Sequence, residues 1–122
     1  MKALKIKTSN EISVVDVAQP LHLSLNREVS GYIEIVHPRG LLPPFVMVVD
    51  EEGLLKKKRP NLIGSVLYET HKHGSPIVGD VVLMREERGP EGLDLAGLSG
   101  QDVADLTELC RTILAIAAVG AP

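Results

Sequence analysis

Rings are scarce in this chain: Tyr32, Tyr68 and Phe45 make up an aromatic fraction of 2%, and tryptophan is absent. A core must therefore be built from Val, Ile and Leu, and a single-stranded nucleic-acid platform would lack the stacking surfaces it uses, so nucleic acid is not an expected partner. Cysteine is nearly absent too. Cys110 stands alone and cannot close an internal disulfide, which fits a reducing, cytoplasmic setting. No apolar run approaches the roughly 20 residues that cross a bilayer. The start, Met1 to Lys7, is too short and too alternating for the apolar region of a signal peptide, so no membrane association is expected. Nor does one sign of charge dominate: a formal net charge of -3 creates little field toward nucleic acid or anionic lipid.

What remains is ordinary globular material. The 122 residues are 44% hydrophobic and 24% charged, enough for one core and too few for two, so a single domain spanning residues 1–122 is expected. Residues 1–7 and 11–17 alternate or are rich in β-branched residues around Thr8-Ser9-Asn10, and predict an N-terminal hairpin. Leu21, Leu25 and Val29 recur at helical spacing and predict a short helix closed by Gly31, although Leu21, Leu23 and Leu25 also fit a strand. Two strands follow, Tyr32 to His37 and Phe45 to Asp50, separated by a loop whose prolines cannot donate to a ladder. Glu51-Glu52-Gly53 is expected to form a tight turn with a positive φ at Gly53. Asn61 is placed as the cap of a short helical turn ending at Tyr68.

The late part of the chain is read in three pieces. Ile77 to Met84 is strand-like, with Gly79 as a bulge or close-packing point. Arg85 to Gly97, charged and rich in glycine, is expected to be an exposed connection. Ser99 then caps a helix over residues 99–118, with Asp102 favourable in its first turn. Val103, Leu106, Cys110, Ile113 and Ala117 share one face of that helix, and Asp105, Glu108 and Thr112 face away. The whole predicts an α+β fold: a twisted, mainly antiparallel sheet of about five strands, a short helix or two, and the C-terminal helix packed on one face.

The succession Met-Lys-Ala-Leu, Gly31-Tyr32-Ile33-Glu34, Asp50-Glu51-Glu52-Gly53, Asn61, a late strand containing Gly79, and a helix start at Leu98-Ser99 resembles the family called domain of unknown function 3846, over roughly the first 110 residues. The resemblance implies a small protein carried by phages, plasmids and other mobile elements of bacteria. It supplies no activity and no site residues. In one place the chain departs from similar members, which tend to have Gly and apolar residues after the turn where this chain has Lys57-Lys58-Arg59.

Candidate sites must therefore come from the residues themselves. His71 and His73, two apart in an extended segment, could both reach one ion, with His22 or His37 adding a third. No Cys pair or Glu stands at ligand spacing and Lys72 would repel a cation, so a solvated turn and no metal site are expected. Asp50, Glu51 and Glu52 could form a carboxylate pair for acid/base work, but on a tight turn all three are expected to be hydrated. The run Lys56, Lys57, Lys58 and Arg59 offers four cations for a phosphate or an acidic protein, against the simpler expectation of a solvated strand end. Cys110 is expected to be buried and inert. Leu41 and Leu42, beside Pro43 and Pro44, present apolar side chains in a loop, and residues 113–119 are apolar on nearly all faces. Either could fold onto the core or serve as a contact between chains, and a homodimer or other homo-oligomer is expected.

No nucleophile, base and orienting group stand at motif spacing, and no cofactor motif is present. The expected function is thus a non-enzymatic accessory protein of a mobile element that binds a protein partner, with counter-defence as one such role. The alternative is a small-molecule or nucleotide-binding module near Lys56 to Arg59 and His71 to His73.

Overall fold

Strands β1 (Lys2–Ile6) and β2 (Ile12–Asp16) pair antiparallel from Lys2↔Asp16 to Ile6↔Ile12. The reversal between them rests on Asn10 at φ 73, a residue type that tolerates the left-handed region. The computed structural model describes residues 1–120, with the backbone alone at residues 71, 73 and 120.

Helix α1 (Leu21–Val29) buries Leu25 and Val29 and leads into β3 (Ile33–Val36). Its left-handed closing residue is Ser30, at φ 56, and not Gly31. Glycine is required at position 31 for space: a Cβ there would overlap the Asp50 carboxylate. Strand β4 (Phe45–Asp50) is buried along nearly its whole length. Helices α2 (Leu62–Tyr68) and α3 (Thr70–His73) follow, then β5 (Val81–Gly89), β6 (Gly92–Ala96) and α4 (Gly100–Gly120).

The sheet order is β2-β1-β5-β4-β3, and every strand pairing among the described residues is antiparallel. Strand β6 joins β5 where β1 stops: Leu4 faces Leu83, whereas Arg85 faces Ala96. Leu98 then donates to the Lys2 carbonyl at 2.8 Å, carrying the chain past the end of β1. Residues 85–97 are therefore mostly a β-hairpin, where an exposed connection was expected. Its strands extend beyond the core, so solvent meets both faces and the alternation of apolar residues that marks a half-buried strand is lost. Gly89 and Gly92 close the turn around Pro90 and Glu91.

Both faces of the central strands are covered, by alternation. Leu4, Ile6, Met47, Val81 and Leu83 point to Ile63 and Leu67 of α2 and to Leu106, Cys110 and Ile113 of α4. Ala3, Val48, Val82 and Met84 point the other way, to Leu25 and Val29 of α1. The result is a single α+β domain with α4 on one face, as the helical stripe predicts, and α1 on the opposite face. Helix α4 begins with a reciprocal cap in which Ser99 Oγ accepts from the Asp102 N–H at 3.0 Å and Asp102 Oδ2 accepts from the Ser99 N–H at 2.9 Å. Arg85 ties that cap to β5 by donating to both Asp102 oxygens, and its guanidinium lies 5.7 Å from the centre of the Phe45 ring.

Of the glycines singled out from the sequence, Gly79 is the close-packing point expected, a Cβ there lying 2.9 Å from Lys58 Cδ, and Gly53 has a reason other than the one expected. Gly53 is not a positive-φ residue, that role in its turn falling to Lys57 at φ 55. It is needed because a Cβ would lie 2.8 Å from Val78 Cγ2. Gly79 does take φ 78, and β5 starts two residues after it, later than the expected Ile77. Ile77 and Val78 instead form a buried crossing segment beside Pro60.

Candidate partner-binding site

The basic run does not form a free edge. Asp50 ends the buried strand β4 with its side chain at 0% exposure, and Lys56 and Lys58 fold back to reach its Oδ2 at 2.9 and 2.7 Å. The Glu52 N–H donates to Oδ1 at 3.0 Å. Burial alone would raise this carboxyl, but hydrogen bonds from Lys58, Lys56 and the Glu52 amide, together with the charge of Lys58, outweigh it and hold the pKa at about 2. Lys58 also donates to the Val29 and Ser30 carbonyls at 2.7 and 3.1 Å, and Lys56 to Ser30 at 3.3 Å. These are the carbonyls a helix leaves unpaired at its C-terminus, where a cation is favoured. Asp50 is thus neither hydrated nor part of an acid/base pair, and Lys58 is largely drawn into this cluster, while Lys56, also bound to Asp50, keeps 38% of its side chain exposed. Lys57 and Arg59 are exposed and form no ion pair among the described residues.

The loop between β3 and β4 also divides. Gly40 donates to the Leu67 carbonyl at 2.9 Å, and a Cβ on Gly40 would lie 2.7 Å from that oxygen, so the loop is pinned against α2. This seats Leu41 in the core and leaves Leu42 77% exposed. Of the two leucines, only Leu42 is available to another molecule.

Leu93 of β6, 61% exposed, lines the same groove as Leu42. The groove, of about 410 Å³ and within the range of ligand sites, is also lined by Phe45, Val46, Pro43 and Pro44. His37 Nε2 and Glu86 Oε1, 2.8 Å apart, bridge β3 and β5 on its rim, where Arg39 also stands. Leu93 and Glu86 are site residues that the sequence reading missed, because it took residues 85–97 as a connection, and His37 was weighed there only as a metal ligand.

The remaining candidates do not converge. The side chains of His71 and His73 lie outside the described residues. Among the described residues, no group of three or more His, Cys, Asp or Glu could hold a metal ion, and no helix is long and apolar enough to cross a membrane. Cys110 is fully buried under α4, and loss of solvation pushes its thiol up to about 11, which leaves it without nucleophilic character.

The chain matches the model of a family described as Domain of unknown function (DUF3846) over residues 1–111. The protein belongs to the DUF3846 family. No curated protein and no solved structure matches it. The matched DUF3846 segment contains the whole sheet, the groove and the Asp50 cluster, and ends inside α4. Ile116 and Val119, 66% and 87% exposed, lie past it.

Proposed function

We propose that this DUF3846 protein is a non-enzymatic interaction protein that acts by occupancy, holding a protein partner in the groove between Leu42 and Leu93. The observation that carries this reading is the pair itself: two exposed leucines lining one largely apolar groove together with Phe45, Val46, Pro43 and Pro44. The setting we propose is the cytoplasm of a bacterium carrying a mobile element, following the likeness noted from the sequence, with an accessory role such as counter-defence. A ligand site at Lys56 to Arg59 has less support, because two of the four cations are already committed to Asp50 and to the end of α1.

Leu42→Asp combined with Leu93→Asp is the test. Host proteins retained by the immobilised wild-type chain should fall by about tenfold or more on the double variant, in line with the loss of hot-spot contacts. Thermal unfolding should stay near wild type, since both side chains are already in water. Equal retention by both chains would reject the groove as the contact, and turnover of a nucleotide or other small molecule by the purified protein would reject occupancy as the mode of action.

We also propose that two chains pair through the end of α4, where Ile116 and Val119 leave apolar surface uncovered. Light scattering should give a dimer for the wild type and a monomer for Ile116→Glu with Val119→Glu. A wild-type monomer at high concentration would dismiss the pairing.

A further inference from the structure

Helix α4 is longer than the strand it covers. Leu98, bonded to the Lys2 carbonyl, sets its start at one end of β1, and α4 packs on β1 and on α2. Its 21 residues extend about 31 Å, whereas the five of β1 extend about 17 Å, so the last turns of α4 outrun the strand. At the opposite end of β1, the Asn61 side chain holds the Ile6 carbonyl and fixes the start of α2. The far half of α4 and the start of α2 therefore come together, and each leaves an apolar row in solvent. On α4, Leu106, Cys110 and Ile113 are buried, while Ile116 and Val119 continue at helical spacing and are exposed. On α2, Ile63 and Leu67 are buried, while Leu62 and Val66, one turn apart, are 41% and 45% exposed.

Neither row carries a charge. No charged residue stands from 61 to 68 or from 112 to 120, and depletion of charge marks the core of an interface, most of all between identical chains. The charges that border the two rows in sequence balance. Arg59 precedes α2, Glu69 and Lys72 follow it as a pair 3.5 Å apart, and Asp105, Glu108 and Arg111 precede the uncharged part of α4. Outside that pair, two cations thus stand against two carboxylates. A partner of other chemistry finds no charge here to recognise, while a second copy meets no repulsion. We infer that the seam of α2 and α4 is a two-fold interface, in which Leu62 and Val66 of one copy pack on Ile116 and Val119 of the other. The inference rests on the α4 pairing proposed above and adds its second surface. A two-fold contact is reciprocal, so each copy gives both its α2 and its α4 row. Pairing by the ends of α4 alone would bury two side chains from each copy, far below the roughly 800 Å² per partner of a standard interface. Helix α2 doubles that apolar contribution, and the exposed, small Ala115 and Ala118 allow close approach.

A charge swap between two variants is the test. Sedimentation equilibrium should give a dimer for the wild type and a monomer for Leu62→Lys with Val66→Lys, as it should for Ile116→Glu with Val119→Glu. An equimolar mixture of the two double variants should restore a dimer, because one reciprocal contact then sets lysines against glutamates and the other keeps its four apolar side chains. High salt should weaken that restored dimer and spare the wild type, since only the former depends on exposed charges. Leu62→Ala with Val66→Ala adds no charge, keeps good helix formers in α2 and should raise the dimer dissociation constant about tenfold or more. A wild-type dimer that withstands both α2 variants, or a mixture that stays monomeric, would overturn the α2 contact and leave the α4 pairing in place. A wild-type monomer at high concentration would overturn both.

Discussion

Asn61→Ala should lower the unfolding free energy by about 3–5 kcal/mol. Asn61 is fully buried, and every part of its amide is used. Its Nδ2 donates to the Ile6 carbonyl at 2.9 Å and to the Gly79 carbonyl at 3.0 Å, while Oδ1 accepts from the Gly64 N–H at 2.9 Å. Its backbone N–H bonds Ile77 at 2.8 Å. One side chain therefore caps α2 and fastens it to the end of β1 and to the crossing segment before β5. Alanine would leave two carbonyls and one amide without partners inside the protein, at about 1–3 kcal/mol each before relaxation, and would also remove the cap. Urea unfolding should show the shift in midpoint. Asn61→Asp sharpens the test, because it keeps the acceptor for Gly64 but turns a carboxylate lone pair toward two carbonyl oxygens. It should be at least as damaging at neutral pH. If Asn61→Asp unfolds like wild type, the two donated bonds do not hold the segments together.

That residue also marks the limit of what the sequence discloses. Its role as a helix cap is legible, since Asn before an apolar turn is a local signal, and α2 does run to Tyr68 as expected. Its two donated bonds cross 55 and 18 residues of chain and leave no local trace. The same division holds elsewhere. The β4 bounds and the capped start of α4 follow from short-range pattern, as does the burial of Leu106 and Cys110 on one helical face. The β5–β6 hairpin was hidden because its solvated faces remove the alternation that would announce it. Half of the groove, Leu93, was hidden with it. Leu42 was visible as an apolar loop residue, but nothing local separates it from Leu41; the distinction comes from Gly40 docking on α2. The basic run misled for a related reason, since its partner is a carboxylate whose burial is set by the sheet and not by its neighbours in sequence.

Lys58→Glu should therefore destabilise the fold by about 3–5 kcal/mol, the scale on which losing one partner of a buried ion pair is felt, whereas Lys57→Glu should fall within about 0.5 kcal/mol of wild type. Adjacent residues of the same type would then differ by an order of magnitude in effect, because Lys58 alone of the two reaches Asp50 and the carbonyls of Val29 and Ser30. Reversal would set a second carboxylate against a buried one and strip the end of α1 of its cation. The acid limb of the stability curve supplies an independent check. Asp50 is depressed from 3.8 to about 2 in the folded chain, so its contribution, about 2 kcal/mol, is fully present above pH 4 and is lost as the pH falls through 2. Asp50→Asn cannot titrate there and should flatten that part of the curve, measured by urea unfolding between pH 2 and 7. It should also be less stable than wild type at neutral pH, where two lysines lose their counter-charge. Equal midpoints for Lys58→Glu and Lys57→Glu, or an acid limb unchanged in Asp50→Asn, would mean that the cluster is a solvated surface pair and that the basic run is free to meet a partner after all.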